Sequence, residues 1–169
     1  PFIVGKAIFS RTIIEIVFAL WLLLLIRRPE YRPARSVLAL MFGVYVIGAL
    51  ISGVFGVSFQ RTFWSNYERM QGVYDLVHWF VALVVLFTVI KGWVQWRLML
   101  SLMMAVTLFI AFLGLLQDMG IAWGAFAWLR GVDIDRIEIS LGNATYVGSY
   151  GMVMVLLSFG LLLDTFIGT

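Results

Sequence analysis

AIFSRTIIEIVFALWLLLLI, residues Ala7 to Ile26, runs directly into RRPEYRPAR, residues Arg27 to Arg35. The first stretch has the length, about 20 residues, that a helix needs to cross a hydrocarbon core of ~30 Å. The second sets Arg27, Arg28, Arg32 and Arg35 against the single acid Glu30. The apolar run is continuous rather than alternating. That favours a helix, which satisfies its own backbone in lipid, over a barrel strand. An apolar helix stopped by a basic loop is the pattern of a membrane span.

Four further runs repeat it, at Ser36–Val57, Gly72–Ile90, Leu98–Leu116 and Tyr146–Leu163. Of the 169 residues, 63% are hydrophobic and only 12% charged. A soluble domain carries about a quarter charged residues, so this chain lacks the polar side chains to coat a globule. The fold class read from these features is all-α: a polytopic integral membrane protein with about five transmembrane helices. No linker or repeat divides residues 1–169, which are read as a single membrane domain. Cysteine is absent and His78 is the one histidine. These counts exclude disulfides, thiolate metal sites and multi-histidine metal sites within the chain, and neither a metal nor a cofactor is expected. No nucleic-acid partner is expected. The chain starts at Pro1 without a signal peptide and stops at Thr169 just after an apolar run, so it is expected to be an internal piece of a longer protein.

Alternation of the spans puts RRPEYRPAR and KGWVQWR (Lys91–Arg97) on one side. Trp93 and Trp96 of the second loop suit the headgroup belt. The basic loops mark this side as cytoplasmic. The opposite side nevertheless holds Lys6, Arg11, Arg61, Arg69, Arg130 and Arg136, more arginine than topology requires. Three polar groups lie there. In TFWSNYERMQGVYD, Thr62–Asp75, the spacing Ser65-x-x-Glu68 is that of a capping box, which predicts a helix starting near Ser65. Gln71, Asp75 and His78 share a face of that helix. Either this is a capped, solvated helix start, or Arg61 and Arg69 make a mouth that holds an anion. Asp75 and His78 are read as satisfying one another, with an acid–base role for His78 as the alternative. In SRTIIE, Arg11 and Glu15 are four residues apart and are read as a mutual ion pair orienting the helix end. In RGVDIDRIEISLGNATYVGSY, Arg136 precedes a Gly142-Asn143 turn that caps the last span. Ile137, Ile139 and Leu141 alternate with polar residues as in a short extended piece. Permanently charged, forked arginine donors beside a helix N-terminus suit a diphosphate.

In order, PFIVGKAIFSRTIIE, RRPEYRP, FWSNYERMQGVYDLVHWF and RIEISLGNATYVGSYGM resemble the N-terminal half of the O-antigen ligase-like family. These are bacterial polytopic glycosyltransferases that also include O-antigen polymerases and O-linking oligosaccharyltransferases. The family's aromatic-Trp-x-x-Tyr-Glu-Arg-x-x-Gly pattern matches at Phe63, Trp64, Tyr67, Glu68, Arg69 and Gly72. A later pattern matches at Arg136, Gly142, Asn143 and Tyr146, with Asn-Ala-Thr where Asn-Pro-Asn is common, which alters the turn but not its position. The resemblance implies a site at the periplasmic face of the bacterial inner membrane. It also implies an undecaprenyl-diphosphate-linked glycan as donor, and metal-independent transfer to lipid A–core, another glycan or a protein. The residues expected to bind the diphosphate are Arg136, Arg69, Arg61 and Asn143. Glu68, Ser65, Arg11 and Glu15 are expected to support them. The family's outer loop with its catalytic histidine would follow Thr169, and that role is not carried onto His78. Two rivals stand beside this reading: a transporter or flippase of lipid-linked glycan, and a membrane partner without catalysis.

Overall fold

The computed structural model describes residues 2–33, 35–66, 70–119 and 144–167. It contains six α-helices among those residues: α1 Phe2–Arg27, α2 Val37–Phe55, α3 Phe59–Trp64, α4 Val73–Val89, α5 Trp93–Asp118 and α6 Ala144–Ile167. A 3₁₀ turn, Pro29–Tyr31, follows α1. There is no strand among the described residues, in keeping with the all-α expectation. All five expected spans appear as helices. Four of them, α1, α2, α5 and α6, are long and apolar enough to cross a membrane; α4, at 17 residues, is shorter but equally apolar in character.

Large apolar side chains cover the outside of these helices, among them Phe9, Leu23, Leu40, Phe55, Phe109, Leu156 and Phe166. The buried apolar set is small: Trp21, Val46, Val73, Val85, Leu113 and Met154. A water-soluble protein does not present apolar surface on that scale, whereas hydrocarbon chains cover it at no cost. The chain is a multi-pass membrane protein.

The chain divides into two compact units, Pro1–Lys91 and Gly92–Thr169. In the first, α4 is the central element and packs against α1, α2 and α3. Small residues allow the approach, as they do where helices meet in lipid. The ring of Phe80 on α4 lies against Gly43 of α2 and meets Phe42 edge-on at 6.0 Å. Thr62 of α3 fills the space left at Gly53 of α2. Ser36 and Ser58 cap α2 and α3, their hydroxyls accepting from the amides of Ala39 and Arg61. At the far end of this unit Lys91 donates to the carbonyl of Glu30 and stands 4.3 Å from the ring centre of Tyr31. Lys91 and the basic turn therefore share one end, as the alternation of spans requires.

In the second unit α5 and α6 run antiparallel. Trp93 Nε1 donates to Asp164 Oδ2 at 3.2 Å, and Thr107 meets the hydroxyl of Tyr150 at 2.8 Å. Thr107 Oγ1 already donates to the carbonyl of Met103, so Tyr150 is the donor of that contact. These two links fix the register of the pair.

The capping-box expectation at Ser65 is not met. Ser65 ends α3 rather than starting α4, with φ 60° and ψ −140°, and α4 starts at Val73 behind Gly72. An N-cap needs extended backbone, which Ser65 does not have. The start is displaced because α3 turns back onto α4: a Cβ at Gly72 would collide with the carbonyl oxygens of Thr62 and Phe63. Gly48 on α2, by contrast, has open space around it. Gly72→Ala is expected to destabilise the protein by about 2 kcal/mol or more, since backbone is on the other side of the clash. Gly48→Ala is expected to be neutral or to add up to about 1 kcal/mol through helix propensity. Unfolding midpoints of the two variants in detergent micelles check this.

Candidate functional site

At the α4 start the first unit gathers a cluster of ionisable side chains from α1 and α4. α1 and α4 run parallel here, since Arg11 then Glu15 on α1 meet Asp75 then His78 on α4. Arg11 Nε and Nη2 both donate to Asp75 Oδ1, at 3.0 and 2.8 Å, and Nη2 also donates to the carbonyl of Met70 at 2.7 Å. The other carboxylate oxygen of Asp75 accepts from Trp79 Nε1 at 3.2 Å. One turn further along, His78 Nε2 lies 3.0 Å from Glu15 Oε1. His78 Nδ1 lies 2.8 Å from the carbonyl of Tyr74. The Tyr74 ring binds the group together. It lies 5.4 Å from the Arg11 guanidinium and 4.5 Å from the His78 ring, and on its other side it meets Trp64 at 5.0 Å.

This overturns two expectations about pairing. Arg11 and Glu15 do not pair with each other, and Asp75 and His78 do not satisfy one another. Each reaches across to the neighbouring helix instead. The reason is charge order. Base then acid on α1, against acid then base on α4, gives two complementary contacts when the helices are parallel. Each contact joins groups that are expensive to leave single inside a membrane. Asp75 also sits in the first turn of α4, where the helix dipole favours an anion.

Beside this cluster lies an open polar hollow of about 590 Å³, lined by Ser58, Gln60, Arg61, Ser65 and Asn66. Arg61 is exposed and forms no ion pair among the described residues. Of the expected donor-binding residues, Arg61 is the one whose surroundings are described, and Ser65 lines the same hollow. Arg69, Glu68, Arg136 and Asn143 lie outside the described residues, as does the extended piece expected around Ile137. Arg11 and Glu15, expected to support the site, lie in the neighbouring cluster. Gln60, Asn66 and Trp79 were not singled out in the sequence. Trp79 follows Asp75 by four positions, a helical spacing that could have flagged it.

Two left-handed residues flank the stretch 67–69: Ser65, with φ 60°, and Met70, with φ 49°. Non-glycine residues there carry about 1–3 kcal/mol of strain and persist where surrounding contacts hold them. Arg11 supplies that hold at Met70 through its carbonyl. Among the described residues no group of three or more acids or histidines could hold a metal ion.

Compared with protein-family models, curated proteins and solved structures, the chain matches none.

The side chain of Arg11 is only 7% exposed and that of Asp75 22%. Asp75→Leu therefore removes the carboxylate paired with a buried guanidinium and is expected to cost about 3–5 kcal/mol. Adding Arg11→Met is expected to recover most of that loss. A double-mutant cycle from unfolding in mixed micelles reads the difference.

Proposed function

We propose that this chain belongs to a membrane glycosyltransferase of the O-antigen ligase-like kind. Its donor is an undecaprenyl-diphosphate-linked glycan, and its acceptor is lipid A–core, another glycan or a protein. It acts at the periplasmic face of the bacterial inner membrane. The observation that carries the reading is Arg61: an exposed guanidinium, without an ion pair among the described residues, in a polar hollow at the ends of apolar helices. A polyprenyl diphosphate has the complementary form, a greasy tail under a doubly charged head. Arginine binds such a head through several donors at fixed charge. In glycosyl transfer the sugar–oxygen bond to the diphosphate breaks, and negative charge grows on the departing phosphate oxygen. Cations set in place before that moment lower the barrier. In this reading the donor-binding residues are Arg61, Arg69, Arg136 and Asn143, and the Arg11–Asp75 pair fixes the start of α4.

A transporter of the same lipid-linked glycan is the second reading. It is favoured by the two contacts between ionisable groups within the membrane part, Arg11–Asp75 and Glu15–His78, since such groups mark ion and proton pathways in pumps.

The test uses protein in lipid vesicles with an undecaprenyl-diphosphate-linked glycan, an acceptor lipid A–core, and no added ATP. Wild type is expected to transfer glycan. Arg61→Ala and Arg136→Ala are each expected to lower the rate at least tenfold, with Arg28→Ala, at the opposite end, unchanged. Donor movement across the vesicle wall without transfer supports the second reading. Neither transfer nor movement sinks both.

A further inference from the structure

Nothing in the proposed donor site uses the contact between Glu15 and His78, yet its geometry carries a chemical consequence. The carbonyl of Tyr74 can only accept, so His78 Nδ1, at 2.8 Å, carries a hydrogen. In a neutral imidazole that is the one ring proton, and Nε2 is then a bare acceptor. Nε2 nevertheless lies 3.0 Å from Glu15 Oε1. Two acceptors at that distance, one of them an ionised carboxylate, repel each other. The contact is a hydrogen bond only if one more proton lies between them. Turning the ring over offers no way out, because it would set carbon atoms against both oxygens.

We propose that Glu15 and His78 form a proton-binding site within the membrane part of the chain, holding α1 to α4 through one shared proton. The proton resides on Nε2, giving imidazolium beside carboxylate, or on Oε1, giving imidazole beside carboxylic acid. Both forms are neutral overall. Loss of the proton to water leaves one net negative charge between the helices, and uptake from water restores neutrality; no other reactant takes part. Among the described residues no charged neighbour neutralises the pair instead. On α1 and α4, Arg11 and Asp75 already compensate one another. The only titratable side chains on α2 and α3 are Tyr45 and Arg61. Neither touches the pair. The histidine side chain is 10% exposed and that of Glu15 58% exposed, so the carboxylate is the outer partner of the contact and the ring the enclosed one.

His78 is the one histidine of the chain, so its ring can be observed without interference. The protein is prepared with ¹⁵N-labelled histidine and reconstituted in lipid bilayers near neutral pH. Solid-state NMR then reads both ring nitrogens, and infrared spectroscopy reads the carboxyl stretch that Glu15→Gln removes. The expected result is a protonated Nδ1 together with a second proton, seen either at Nε2 or as a protonated Glu15 carboxyl. In Glu15→Gln the amide donates to Nε2, and the ring is expected to revert to a single proton at Nδ1. A bare Nε2 in wild type beside an ionised Glu15 overturns the proposal, as does a ring whose single proton sits on Nε2. The wild-type spectra decide the matter even if the variant does not fold.

Discussion

The Arg11–Asp75 contact is the constraint on which the first unit rests. A guanidinium enclosed between apolar helices is tolerable only with its counter-charge at hand, and that counter-charge stands on another helix, 64 positions along the chain. The pairing sets the parallel alignment of α1 with α4. It also sets their register, because Glu15 meets His78 only when Arg11 meets Asp75. From the same guanidinium a bond runs to the Met70 carbonyl, which carries the constraint into the turn ahead of α4. The polar hollow at α3 lies beyond that turn, joined to it through the Trp64 and Tyr74 rings, which meet at a tilt 5.0 Å apart.

The spans were legible in the sequence because the solvent selects them. Lipid demands length, continuous apolarity and an internally bonded backbone, all of which can be counted along a chain such as Ala7–Ile26. The placement of Arg11, Glu15, Asp75 and His78 as polar intrusions was legible for the same reason. Their partners were not. Spacing along one helix suggests local pairs, and only the parallel packing of α1 on α4 reveals that base–acid faces acid–base. Ser65 shows the same limit differently. Its spacing to Glu68 has the form of a cap, but the close approach of α3 to Gly72 decides where the helix starts. Gly43 and Gly53 also carried no mark. Their role appears only once Phe80 and Thr62 are seen filling the space they leave. At the candidate site, Arg61 and Ser65 were found by charge and by position in a break between spans. Gln60 and Asn66 were missed, because a lone amide in a break between spans has no distinguishing pattern until a hollow forms around it.

The two units handle polar groups in the membrane differently. In the first, ions are matched across helices. In the second, the described contacts between α5 and α6 are hydroxyl and indole bonds, with Tyr150 donating to Thr107 and Trp93 to Asp164. The hydroxyl bond is neutral and of a kind that contributes on average less than about 1 kcal/mol in lipid, while the indole bond ends on the Asp164 carboxylate.

The short central helix has a consequence for the bilayer itself. At 17 residues, α4 is about 25 Å long, while the hydrocarbon it crosses is ~30 Å thick. Its companion α1, at 26 residues, is about 39 Å long. A mismatch of this sign is relieved by thinning the adjacent leaflet or by drawing polar groups and water inward. Thinning at the N-terminal end of α4 would bring the headgroup region toward Gly72 and the hollow at Arg61. An amphiphile diffusing in the leaflet would bring its head to that depth without leaving the lipid plane.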